Sequence, residues 1–191
     1  MTQEEGLAGL SMRKLGGELG VEAMSLYHYV ENKDDLLDAM LDCLYTDLEM
    51  PLDIPFEDWE AWTRESLRAF HRVLVSHAAA LDLFAGRPGK SADSFGVLMW
   101  SYKRFAAAGI DPAEANKAIH FGVSFVMGHV ASELGSLAML SQGIGYPERA
   151  SIGDPFAPEV VAKSQDLTAD DRFEAGLDLV VAGLRTVYGL Q

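Results

Sequence analysis

Apolar residues recur three and four positions apart along most of the chain, and each run is closed by a glycine, a proline or a capping side chain. Met12, Leu15 and Leu19 follow Ser11, a good N-cap, and predict a first helix that Gly20 ends. Val21 opens a tight turn, and residues 22–29 predict a second, short helix. Asn32 caps a third, with Asp34 and Asp35 in the first turn where the helix dipole favours acids. Its stripe of Leu36, Leu37, Met40, Leu41, Leu44 and Leu48 is broad enough to be buried, and Pro51 and Pro55 stop it at the one clear boundary. Beyond lies an amphipathic helix over 56–77 through Trp59, Thr63, Leu67, Phe70 and Leu74, then a loop, AGRPGKSAD. Residues 92–108 put Phe95, Leu98, Met99, Tyr102 and Phe105 on one stripe. Asp111-Pro112 starts a long helix running to about Leu140, with proline at its first position. A linker, QGIGYPERASIGDPFAPE, separates it from a last helix over 170–188 carrying Phe173, Leu177, Val180, Val181 and Leu184. No strand pattern of useful length and no repeat interrupts this series. The predicted fold is all-α, with a small N-terminal domain at 1–45 and a larger helical domain at 46–191.

Composition narrows the function. The 191 residues carry a net charge of −14, which argues against a protein whose whole surface grips phosphate. Any nucleic-acid contact must rest on a local patch, yet residues 1–45 hold three basic side chains against nine acidic ones, a deficit of six. The apolar runs break well before the ~20 residues of a membrane span, and no signal peptide opens the chain. A single cysteine, Cys43, excludes an internal disulfide and points to a reducing, cytoplasmic setting.

Residues 11–29 form helix, Gly-Val turn, helix: the layout in which a second helix enters the DNA major groove. Gly20 allows the turn, and Val21 is expected to plug the space between the helices. Leu26 can face inward while Met24, Ser25, Tyr27, His28 and Tyr29 face out. Rings with polar tips suit a surface that meets another surface. The run LSMRKLGGELGVEAMSLYHYVENKDDLLDAM resembles the DNA-binding segment of TetR-family repressors almost position by position, and FEAGLDLVVAGLRT is more weakly similar to the closing helix of their ligand domains. The resemblance implies that Ser11 and Arg13 touch phosphate from the helix before the turn. It places Ala23, Met24 and Ser25 at base edges, and Tyr27, with the aromatic pair His28 and Tyr29, against the DNA backbone. It sets Lys33 on a phosphate at a helix N-terminus. Ala23 and Met24 offer bases no hydrogen bond, so readout is expected to lean on Ser25, methyl contacts and DNA shape.

The family's reader begins with a further helix that braces the other two. Only MTQEEGLAGL precedes Ser11, room for that helix's last turn. Leu15, Leu19 and Leu26 are then expected to be poorly covered, at about 1.5–3 kcal/mol for each large side chain exposed. The expectation is a natural chain longer at its N-terminus, or a copy that does not bind DNA.

In the larger domain, Ser124, Gly128, Ala131, Gly135 and Ala138 recur at spacings of 4, 3, 4 and 3, a stripe of small residues that lets a second helix come close. With Val180, Gly183 and Val187 of the last helix they predict a four-helix homodimer interface. Phe70, His71, Met99, Trp100, Tyr102, His120, Phe121 and Phe125 combine rings and sulfur with a few polar groups, the chemistry of a cavity for a small apolar or amphipathic ligand. Gly86 and Gly89 are too close for a P-loop. His71 and His77 are six apart and His120 and His129 nine, so neither pair shares a helix face to hold a metal, and no cofactor motif or hydrolase elbow is present. The sequence therefore predicts a cytoplasmic, non-enzymatic, homodimeric regulator that binds a double-stranded DNA operator and that a small ligand releases. A dimeric ligand binder without DNA activity is the second reading, and an all-α enzyme the third.

Overall fold

The computed structural model describes residues 7–77, 79–141, 159, 163 and 166–191. Among them are eight α-helices, one 3-10 turn at Leu7–Gly9 and no strand. The helices are α1 (Met12–Leu19), α2 (Ala23–Leu26), α3 (Lys33–Thr46), α4 (Trp59–Ser76), α5 (Ala80–Gly86), α6 (Ala92–Ala107), α7 (Pro112–Ser141) and α8 (Ala169–Tyr188). The linker predicted after α7 lies outside the described residues apart from Glu159. No described helix is long and apolar enough to cross a membrane.

The start signals act as read. Ser11 Oγ accepts from Lys14 N–H at 3.3 Å, and Asn32 Oδ1 accepts from Asp35 N–H at 3.0 Å. Asp58 and Ser91 cap α4 and α6 in the same way, and Thr168 forms a capping box with Asp171 at α8. Two expectations differ. α5 occupies residues placed partly in a loop, and α2 closes after four residues, with turns carrying the chain on to Tyr29.

The chain divides into two compact units, residues 1–119 and 120–191, with the division inside α7. In the first, α1 packs on α2, α3 on α5 and α6, and α4 on α5. Leu41, Leu74 and Leu83 are fully buried there. A ladder of rings runs Tyr45–Phe84–Phe70 at 5.2 and 4.9 Å, edge to face. α6 buries only part of its predicted stripe: Phe105 is buried and Met99 and Tyr102 are half-buried, but Phe95 is 62% exposed and Leu98 also faces out, while Ser94, Ser101 and Arg104 are buried. Polar side chains can occupy that buried face because the backbone satisfies them. Ser94 Oγ donates to Ser91 O and Ser101 Oγ to Val97 O, at 2.9 and 3.0 Å.

In the second unit, Val126 and Val130 of α7 are fully buried, as are Leu177 and Val181 of α8. Phe125 stacks on Phe173 with ring centroids 5.7 Å apart, directly over Gly176, where a Cβ would lie only 2.3 Å from the Phe125 ring. Gly189, at φ +64°, ends α8 in the left-handed cap that favours glycine.

Candidate nucleic-acid interface

The reader is built on a close backbone approach. A Cβ on Gly16 would lie 2.8 Å from Val21 O and 3.1 Å from Ala23 N, so only glycine lets α1 meet the start of α2 this closely. Val21 N–H donates to Gly16 O at 2.9 Å, and Gly20 turns the chain at φ +69°. Val21 does not plug the gap as its type suggested. Its side chain is 44% exposed, because Gly16 has already closed the space it would fill.

The short α2 leaves its neighbours outward. Met24 is 70% and Tyr29 88% exposed, and Ser25, Tyr27 and His28 also face solvent, while Ala23 and Leu26 are half-buried. Ser11 and Arg13 are exposed on α1. Leu19 is largely exposed and Leu15 half-buried, while Leu10 and Met12 are buried. Lys33 is half-buried, and its ammonium donates to Leu7 O at 3.1 Å, tying the start of α3 to the 3-10 turn. That bond ties the reader together.

α3 is gripped from the far side. Arg87 and Lys90, in the turn before α6, reach back to it: Arg87 pairs with Asp34 and, at 2.8 Å, with Asp38, whose other oxygen takes Lys90 at 2.8 Å. Arg87 also donates to the Asp34 carbonyl at 3.2 Å. Two cations from outside residues 1–45 thereby neutralise part of the acidic excess there. The bonds from Lys90 and Arg87 hold the Asp38 carboxyl below its ordinary value, and both cations are stabilised in return. A carboxyl lowered on folding stabilises the fold above its unfolded pKa, and that contribution is lost as pH falls through the folded value. Asp38→Asn is therefore expected to flatten the acid limb of the thermal-midpoint profile below about pH 4. An acid limb identical to that of the unmodified chain would remove Asp38 from the clamp.

The predicted ligand residues have separate partners. Phe70 belongs to the aromatic ladder, Trp100 lies 5.9 Å from Phe56, and Tyr102 is bonded by Asn116. His71, Met99 and Tyr102 are half-buried in the first unit. In the second, His120 and Phe121 are exposed and Phe125 is stacked on Phe173. A shallow pocket of about 200 Å³ in the first unit is lined by Asp47, Glu49, Arg72 and His77 among others, and by none of these eight. Of the predicted interface residues, Ser124, Gly128, Ala131, Gly135 and Ala138 are exposed along α7, as are Gly183 and Val187 on α8. Val180 points instead into its own unit's core, and the outward apolar position on that turn is Leu179, 75% exposed.

A family model described as "Bacterial regulatory proteins, tetR family" matches residues 1–40, and one described as "Tetracyclin repressor-like, C-terminal domain" matches residues 51–188. The chain belongs to the TetR family. It is a transcriptional regulator whose helix-turn-helix is a DNA-binding element. An HTH-type transcriptional regulator of Saccharopolyspora erythraea is 30% identical over 205 residues, covering 100% of this chain and 82% of that protein. Among solved structures, a TetR variant of Acinetobacter baumannii AYE in complex with minocycline is 26% identical with a TM-score of 0.76, covering 96% of this chain and 87% of the other. ActR of Streptomyces coelicolor in complex with (S)-DNPA is 25% identical with a TM-score of 0.75, covering 97% and 91%.

Two features of this TetR-family chain escaped the sequence. The Arg87–Lys90 clamp joins residues about fifty positions apart, and only the RPGK run in an assigned loop hinted at free cations. The burial of Arg104 had no signal at all, since its neighbours on α6 read as an apolar stripe.

Proposed function

We propose that this TetR-family chain is a cytoplasmic homodimeric repressor that a small amphipathic ligand releases from its operator, with residues 1–45 as the reader and 46–191 as the ligand-binding and dimerisation part. The observation that carries DNA reading is the exposure of Met24, Ser25, Tyr27, His28 and Tyr29 together around a helix held out by the Gly16 contact. Side chains this exposed add little to the packing of their own chain and suit sugars, methyls and phosphates. Relatives support the sense of regulation: one from Streptomyces coeruleorubidus, 29% identical, bears the name of a transcriptional repressor. The ligands of the two solved relatives, minocycline and (S)-DNPA, support release by a small molecule. Release requires the ligand to prefer the state whose two readers are wrongly spaced, and the shift is limited by that preference.

Selection from a random duplex pool, followed by mobility shift in a salt series, tests this. Arg13 and Lys14 are the exposed cations of each reader, and Lys33 is half-buried. Four to six phosphates per dimer give an expected log K against log salt slope of about −4 to −5. Failure to enrich any duplex sinks the proposal, and a slope near −10 would place the contacts elsewhere on the chain.

A further inference from the structure

Arg104 is 1% exposed, the one charged side chain in the buried set of described residues. No carboxylate pairs with it there. Its Nη2 donates to Ile54 O at 2.7 Å and its Nη1 to Pro55 O, while Nε has no partner among the described residues. Phe56 stacks over the guanidinium at 4.7 Å, with Trp62 and Trp100 at 5.7 and 6.0 Å. Aromatic faces and two carbonyls offset part of the desolvation of a buried cation. A well-packed apolar side chain would serve stability at least as well. What the guanidinium adds is direction, since its planar fork fixes two successive carbonyls at once.

Those carbonyls belong to residues 47–58, the connector between α3 and α4. Its own bonds are short-range turns. Met50 N–H reaches Leu48 O, Leu52 N–H reaches Met50 O, Ile54 N–H reaches Pro51 O and Asp58 N–H reaches Pro55 O, at 2.8, 2.8, 3.3 and 3.1 Å, and Pro51 and Pro55 donate nothing. Such turns set local bends, not where the segment lies against α6.

We propose that Arg104 is a positioning residue for operator binding: it latches the connector to α6 and so fixes where α3, and the reader built on it, leave the helical core. This rests on the operator-binding reading above. α6 then holds the reader at two points. Arg87 and Lys90, just before its first turn, grip Asp34 and Asp38, and Arg104, in its last turn, grips the connector at Ile54 and Pro55.

The test uses the full chain with Arg104→Met and Arg104→Lys, read by hydrogen–deuterium exchange, thermal midpoint and affinity for a duplex selected by the unmodified protein. Arg104→Met is expected to keep or raise the midpoint, to speed exchange over residues 50–57 alone, and to weaken operator binding about tenfold or more. Arg104→Lys keeps the charge but loses the fork, so it should also release the connector. Unchanged exchange at 50–57 overturns the latch, as does unchanged affinity with a released connector. A midpoint and exchange that worsen across the whole chain assign Arg104 a purely structural role and overturn it too. If the unmodified protein selects no duplex, the DNA reading fails separately. Exchange still decides the latch: local release supports it, and no change sinks it.

Discussion

Gly16→Val is expected to weaken specific operator binding by one to two orders of magnitude, roughly 10- to 100-fold, while leaving the rest of the helical fold intact. The added Cβ would meet Val21 O at 2.8 Å and the Ala23 backbone at 3.1–3.2 Å. Those are main-chain atoms, which cannot swing aside as a side-chain tip can, so α1 and α2 must part. Overpacking of this kind costs about 1–3 kcal/mol, and the reader has little burial to set against it. On α1 only Met12 and Gly16 are buried, and α2 buries nothing. We expect roughly a 10- to 100-fold loss of affinity, with helical content and the main thermal transition nearly unchanged. Gly17→Ala is the control. A Cβ there meets nothing within 4 Å, and alanine favours the helix, so binding should hold. Equal losses from both variants would show that the Gly16 contact is not what sets the reader.

Leu179→Glu combined with Val187→Glu is expected to give a soluble, folded monomer with an operator affinity at least about 100-fold lower. Both residues are far out on α8, 75% and 71% exposed, so no packing within the chain is lost. Exposed apolar side chains on α8, together with the exposed small residues Ser124, Gly128, Ala131 and Gly135 on α7, suit a surface that two copies share across a two-fold axis. Four carboxylates buried at such an axis would repel one another and lose their water. Two readers on one dimer bind neighbouring half-sites with a high effective concentration, and separated readers lose that gain. Sedimentation velocity and mobility shift read both effects. A double variant that sediments as a dimer would place the interface elsewhere.

The pattern of apolar positions made the helices legible, because their starts are local chemistry. Ser11, Asn32 and Asp111-Pro112 sit where caps and first-turn residues belong, and the structure begins helices beside each. α5 was missed for the same local reason in reverse: seven residues give too few periods to stand out beside the glycines and proline that follow. At the candidate site, the outward facing of Met24, Ser25, Tyr27, His28 and Tyr29 could be read from residue type and turn spacing. The neutralisation of α3 could not, since Arg87 and Lys90 lie about fifty residues beyond the acids they meet.

By itself, then, the sequence determined an all-α chain with a helix-turn-helix near its start, since capping, helical period and a glycine turn act over a few residues, and its resemblance to TetR-family repressors gave the reader its type. Tertiary structure alone decided which face of α6 is buried. Phe95 and Leu98 stay outside while Ser94, Ser101 and Arg104 are buried: the serines bond to carbonyls of their own helix and its cap, and Arg104 finds its acceptors at Ile54 and Pro55 of the connector. It also decided that Gly16, rather than Val21, closes the reader's turn. Hydrophobicity ranks side chains by their cost in water. Burial depends as well on whether a distant segment supplies acceptors and room, and that is a property of the folded chain.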